Sequence, residues 1–264
     1  IPLIATQLYS QLDKIMLGAI TRDTFENGYY EQARKIVNIL VMILTSVNSV
    51  MYPRISYLFA NGEKSEIKKS YKISLRTVCL ILMPMILGVC ITADNFVVWF
   101  FGSEYVPVAN LMKWSSLLLV FMAMGNFVGM QYLSPMGMQN KMTKAYLTAA
   151  AVNFCLNLLL IPCLYSVGAL IASIAAEAVS CFMQLHYFEK SEYAIPLWKT
   201  MWKYVVAALV MGVILLGFNA ILPVAGVLQT IADIALGGVV YIVCLVLLKE
   251  ELVGVVWKAV KAKM

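Results

Sequence analysis

The sequence is short of charge: 13% of its 264 residues are Asp, Glu, Lys or Arg, against 62% hydrophobic, and the mean hydropathy is +0.83. A water-soluble globular domain needs about twice that charged fraction to cover its surface, so a soluble fold is excluded. Histidine is nearly missing too, with His186 alone. The six cysteines (Cys79, Cys90, Cys155, Cys163, Cys181, Cys244) form no CxxC pair. Neither a zinc site nor a disulfide framework is indicated, and no cofactor is expected. There is no nucleophile elbow, no HExxH and no phosphate-binding loop, so catalysis has no positive support. The formal charge of +6 comes from basic residues scattered among apolar runs, which excludes a nucleic-acid-binding patch.

What is present is a succession of long apolar runs. A bilayer-spanning helix needs about 20 mostly apolar residues, which leaves room for roughly eight spans. Apolar runs between polar breaks predict helices near 1–20, 33–59, 73–101, 109–133, 143–163, 166–188, 200–222 and 226–248. The fold class is therefore all-α, a polytopic membrane helix bundle. Breaks rich in Lys and Arg (61–72, 134–141, 188–199 and the tail from Lys249) alternate with turns poor in charge (102–108, 162–167, 222–226). Most of the 20 basic residues fall on the first set, and the positive-inside rule makes that side, with both ends of the chain, cytoplasmic. Ile1 leads straight into IPLIATQLYSQLDKIMLG without a basic n-region, so this segment reads as a span rather than a signal peptide, and the chain is expected to be part of a longer protein.

Polar residues inside the spans follow helical phase. Gln7, Gln11, Lys14 and Gly18 recur at i, i+4, i+7 and i+11, with Asp13 beside them. Arg34, Asn38, Thr45 and Asn48 repeat the pattern in the second span, and Ser173, Glu177, Ser180 and Gln184 in the sixth. Asn153 and Asn157 form a shorter i, i+4 pair. A charge at mid-bilayer costs from about 3 to more than 10 kcal/mol unless hydrated or paired, so Lys14 and Arg34 read as functional. Neutral amides and hydroxyls more often only join neighbouring helices, and Asn153, Asn157 and Asn219 read that way first. Glu177 and Asp233 divide evenly between structural partners and titrating groups. Asp13 and Lys14, adjacent and about 100° apart on a helix, are not placed to pair. Lys35 and Lys113 are expected to snorkel to the outer interface, and Pro53, Pro84 and Pro135 to kink or end their helices.

Seven stretches carry a family resemblance: QLDKIMLG (11–18), GYYEQARKI (28–36), VMYPRISYLFANGE (50–63), FGSEYVPVANLMKWSSLLL (101–119), NFVGMQYLSPMGMQNK (126–141), NFCLNLLLIP (153–162) and VGALIASIAAE (167–177). In that order they resemble the polysaccharide and O-antigen unit flippases of the MATE-like superfamily. The resemblance implies the second of two pseudo-symmetric lobes over residues 1–188, with two additional helices and a cytoplasmic tail over 189–264. It implies transport, by alternating access, of undecaprenyl-diphosphate-linked oligosaccharide across a bacterial inner membrane for capsule, O-antigen or exopolysaccharide assembly. Lys14 and Arg34 would attract the diphosphate, and Gln7, Gln11, Asn38 and Asn48 would meet sugar hydroxyls, with Asp13 or Glu177 as an ion-coupling carboxylate. The implied partners are the lipid-linked glycan, membrane lipids, a glycan polymerase and a chain-length regulator. A lipid II flippase and a multidrug exporter of the same superfamily stay open, as do, in other classes, a membrane-embedded glycan polymerase or acyltransferase and a non-transporting assembly scaffold.

Overall fold

A computed structural model describes residues 2–222, 226–252 and 254, with side chains from residue 11 onward, and every regular element among them is helical. The elements are α1 (Pro2–Thr21), α2 (Thr24–Ala60), α3 (Lys64–Phe100), α4 (Val106–Val128), α5 (Gln139–Glu189), α6 (Leu197–Ile221) and α7 (Val227–Leu247). A 3₁₀ turn, Ser103–Tyr105, precedes α4, and a π-helical segment, Gly129–Leu133, follows it. Against the expected eight spans, six helices among the described residues are long and apolar enough to cross a membrane, with the 51-residue α5 counted once.

That count conceals a reversal. At 1.5 Å per residue a straight helix of this length would be about 75 Å long, far beyond a hydrocarbon core of about 30 Å. Tyr165 breaks it with φ 52° and ψ −129°, three residues after Pro162. Beyond the break the chain turns back on itself: a Cβ on Gly168 would lie 2.5 Å from the carbonyl oxygen of Leu160. No side chain fits there, so α5 is a two-armed hairpin with glycine at its pinch point. The Ser166 N–H, freed by the turn, donates to Glu26 on α2 at 3.1 Å.

Local chemistry sets the other ends. Asp23 caps α2 by accepting from the N–H groups of Phe25 at 2.8 Å and Glu26 at 3.4 Å. Gly62, at φ 69°, turns the chain into α3. Pro53 and Pro84 lie inside continuous helices, while Pro135 follows the π segment, where the chain does leave the helix.

α1 packs chiefly on α5, α4 lies against α2, α3 and α5, and α6 and α7 pack on α3 and on each other. The apolar face of α4 disappears into this core, with Leu118, Leu119 and Phe127 buried. Large apolar side chains such as Leu159, Val213, Leu228 and Ile234 are exposed on the outside, as lipid contact requires. At the π segment Tyr71 donates to the Gln131 carbonyl at 3.1 Å and Gln131 Nε2 to Asn48 Oδ1 at 2.7 Å. A widened turn leaves carbonyls without helical partners, and here α3 supplies a donor.

On the side read as cytoplasmic, Lys64 pairs with Glu192 at 2.7 Å, and Arg76 with Glu250 at 3.6 Å and with Glu251. Lys64 holds the Glu192 carboxyl below its ordinary range, and Arg76 does the same for Glu251. A depressed carboxylate adds stability at neutral pH that is lost as pH falls through the lowered value. Hydrogen exchange at the 190–196 turn and at residues 250–252 should therefore quicken on acidification below the usual glutamate range. Exposed pairs contribute little, so the fold itself should persist. Gly168→Val should lower stability by about 1–3 kcal/mol, read as a lower unfolding midpoint in detergent, because the Leu160 backbone cannot yield.

Candidate functional site

The hairpin and α1 enclose one carboxylate. On α1 the buried face runs through Asp13, Met16 and Leu17, and Asp13 is fully buried. Its Oδ1 accepts from Asn153 Nδ2 at 2.8 Å and Asn157 Nδ2 at 2.7 Å, both on the first arm of α5. Its Oδ2 accepts from the Tyr30 hydroxyl at 2.7 Å, on α2, and from the Ser173 hydroxyl on the second arm. The i, i+4 spacing brings both asparagines to one oxygen, and the fold-back at Tyr165 brings Ser173 to the other. A carboxylate offers about four lone-pair positions, and four neutral donors from three helices fill them. Adding a proton or a cation to this carboxylate would displace at least one of those donors.

Lys14 turns elsewhere. Its Nζ lies 3.5 Å from Glu31 Oε1 on α2, and Lys35 approaches the same oxygen at 3.3 Å. Two lysines on one glutamate leave a net positive triad, part-exposed, beside the buried carboxylate. Arg34 is buried one turn beyond Tyr30, and Glu177 one turn beyond Ser173. Ser166 meets Glu26 and Ser173 meets Tyr30, so α2 and the second arm run in the same direction, with Arg34 and Glu177 at the level of the next turn.

The remaining residues expected to line a cavity are spread out. Gln11 and Asn38 are exposed, and the Gln7 side chain lies outside the described residues. Asn48 is buried against Gln131, roughly 15 Å along α2 from Asn38 at a helical rise of 1.5 Å. Thr45 spends its hydroxyl on the Met42 carbonyl at 3.1 Å. Lys113 reaches Asp94 on α3 at 2.7 and 2.6 Å. Two polar contacts carry no clear signal in the sequence. Tyr30 stands one turn before Arg34 on the same stripe, and counting tyrosine as apolar conceals its hydroxyl. Asp94 gave no sequence signal beyond being a lone acid near the outer end of its span.

Residues 3–110 match the family model described as "Polysaccharide biosynthesis protein". The chain is 24% identical to a "Probable low-salt glycan biosynthesis flippase Agl15" of Haloferax volcanii, over 90% of this chain and 50% of that protein. It is 22% identical to a "Probable flippase AglR" of the same organism, over 88% of this chain and 49% of that protein. The resemblance to glycan flippases holds. Among solved structures, "Lipid II flippase MurJ, inward closed conformation" superimposes with a TM-score of 0.82 at 14% identity, over 96% of this chain and 53% of that one. The fold is thus MurJ-like, an all-helical multi-pass membrane architecture. The chain spans about half the length of the curated relatives it matches. Their names are those of transporters, in keeping with the expectation that the protein is not an enzyme.

Asp13→Ala would remove the acceptor shared by four buried donors, leaving only the Asn157–Asn153 contact at 3.1 Å and the Tyr30–Ser173 contact at 3.3 Å, at a cost of about 1–3 kcal/mol for each donor left unsatisfied. It should lower the unfolding midpoint more than Asn153→Ala or Asn157→Ala, each of which removes one donor and leaves the carboxylate three. Equal effects from all three variants, measured in the same detergent, would refute a shared node.

Proposed function

We propose that the chain is the second lobe of a flippase that carries a polyprenyl-diphosphate-linked oligosaccharide from the cytoplasmic to the outer leaflet. In the reading from sequence the carrier is undecaprenyl and the glycan is destined for capsule, O-antigen or exopolysaccharide. Residues 1–188 form the lobe and 189–264 the two additional helices and tail. Both ends lie on the cytoplasmic side of a bacterial inner membrane, and a glycan polymerase and a chain-length regulator are its partners. The observation that carries the reading is the alignment of nine-tenths of the chain with a protein named as a glycan-biosynthesis flippase. The MurJ-like fold keeps lipid II as a second reading.

The site supplies a mechanism. A diphosphate-linked glycan needs cations and polar groups along its path, while its tail stays among lipids. Lys14, held at the edge of the Lys14–Glu31–Lys35 triad, and Arg34 attract the diphosphate. Gln7, Gln11 and Asn38 meet sugar hydroxyls, and Asn48, with its Oδ1 occupied by Gln131, contributes its amide nitrogen. Asp13 is the coupling carboxylate, with Glu177 as the second candidate. An ion arriving at Asp13 displaces at least one of the donors that tie α1 to α2 and to both arms of α5, which couples occupancy of one carboxylate to the packing of these helices.

In a flippase-null strain complemented with the full-length gene, Lys14→Ala combined with Arg34→Ala should reduce glycan export about tenfold or more, equivalent to about 1.4 kcal/mol or more for the two cations together. Asp13→Asn, which keeps the shape and removes the charge, should abolish the dependence of export on the ion gradient. Undiminished export by the stably expressed double mutant would overturn the assigned roles.

A further inference from the structure

Away from Asp13, a cavity of about 360 Å³ opens between α2, α3, α6 and α7. None of the residues that hold Asp13 lines it. Its walls are apolar, with Leu40, Met85, Val89, Met211 and Leu215 among them. Small residues line the hollow, Gly88 on α3 and Gly238 on α7 with nothing within 4 Å of a Cβ, while Gly237 packs closely under Met211 and Leu215 of α6. At this size it falls in the range of small-molecule sites, about 300–1,000 Å³.

One wall residue does not match the rest. Asp233, on α7, is 2% exposed, and its Oδ1 has no hydrogen-bond partner among the described residues. Its other oxygen has only Asn219 Nδ2, at a long 3.4 Å. No basic side chain among the described residues lies within salt-bridge distance of it. An unpaired buried carboxyl is costly, and the packing does not remove the cost: Asp233 lines a space rather than a filled core. Around it the helix ends are fixed. Asn95 donates to the Gly226 carbonyl at 2.8 Å and to Thr230 Oγ1 at 2.9 Å, and Trp99 Nε1 donates to the same Thr230 at 2.9 Å. Thr230 stands three residues before Asp233 on the same helix face, so the turn of α7 that leads to the carboxyl is anchored to α3. Ile234 and Gly238, which also line the cavity, are exposed on the outer surface of α7 and put its mouth toward lipid.

We propose that this cavity binds a lipophilic amine, its apolar body among the methionines and leucines and its ammonium on Asp233. A cation paired with a carboxylate in an apolar site gains what neither an alcohol nor an acid of the same shape can. This site is separate from the proposed glycan path and stands or falls independently of it.

The test uses the full-length protein in nanodiscs of zwitterionic lipid, with empty nanodiscs subtracted, and radiolabelled aminoadamantane, adamantanol and adamantane carboxylate as probes. The amine should bind saturably, and the alcohol and acid at least about tenfold more weakly. Asp233→Asn should weaken amine binding by a similar factor. Gly238→Leu should abolish it by filling the space, with no loss of stability, because nothing lies within 4 Å of a Cβ at that position. Gly88→Leu, equally unobstructed, gives an independent filling variant and carries the test if Asp233→Asn fails to fold. Equal binding of alcohol and amine, undiminished binding by Asp233→Asn or by both filled variants, or no saturable amine binding would each overturn the proposal.

Discussion

A fully buried carboxylate is the constraint around which α1, α2 and α5 are arranged. Asp13 enters an apolar bundle on α1, and its desolvation is offset only if donors converge on it from elsewhere in the chain. Tyr30, Asn153, Asn157 and Ser173 do so, and their convergence fixes the register of α1 against α2 and against both arms of α5. Hydrophobic burial holds helices together in water, but between membrane helices it is weak, so polar contacts of this kind decide which faces meet. In the proposed mechanism the node that specifies the packing is also the one whose charge an arriving ion would change, so that reading gives Asp13 a structural and a functional role together.

α6 and α7 are attached differently. Asn95 and Trp99 tie the start of α7 to the C-terminal end of α3, while Arg76 ties Glu250 and Glu251 to its N-terminal half. Between these two fixed ends the packing is loose enough to leave a cavity, lined by three glycines. Rigid ends with a hollow middle suit a surface that admits a molecule from lipid without moving the helices around it.

Much of this was legible in the sequence. The apolar runs located the helices to within a few residues at most ends, and the flippase resemblance stood on motifs whose order the fold preserves. Helical phase grouped Ser173, Glu177, Ser180 and Gln184 as one face, and all four are buried, but it also grouped Gln11 with Asp13 and Asn38 with Asn48, of which the first of each pair is exposed and the second buried. It could not say which face meets which, because that depends on where a chain reverses and by how much each helix is rotated. Asn153 and Asn157 were read as interhelical contacts, and they are, but nothing local points to Asp13, 140 residues away, as the acceptor. The reversal in α5 was placed at 162–167, yet the left-handed residue proved to be Tyr165 rather than a glycine, and Gly168 serves for closeness, not for φ. Starting α2 at 33 rather than at Thr24 left Tyr30 in a loop, where its hydroxyl had no visible purpose.

The fold-back at Tyr165 also bears on how the protein is made. Its turn carries no charged residue from Pro162 to Val167 that would anchor it in water, and the two arms share a carboxylate supplied by α1. Asn153 and Asn157 on one arm and Ser173 on the other share Asp13 as acceptor, so neither arm satisfies these side chains in hydrocarbon without α1. The Ser166 N–H and the Asp13 oxygens find their partners only once α1, α2 and α5 are together, and synthesis delivers α1 and α2 first. The order of helices along the chain is thereby also an order of assembly, in which the early segments wait with an acceptor that the late hairpin completes.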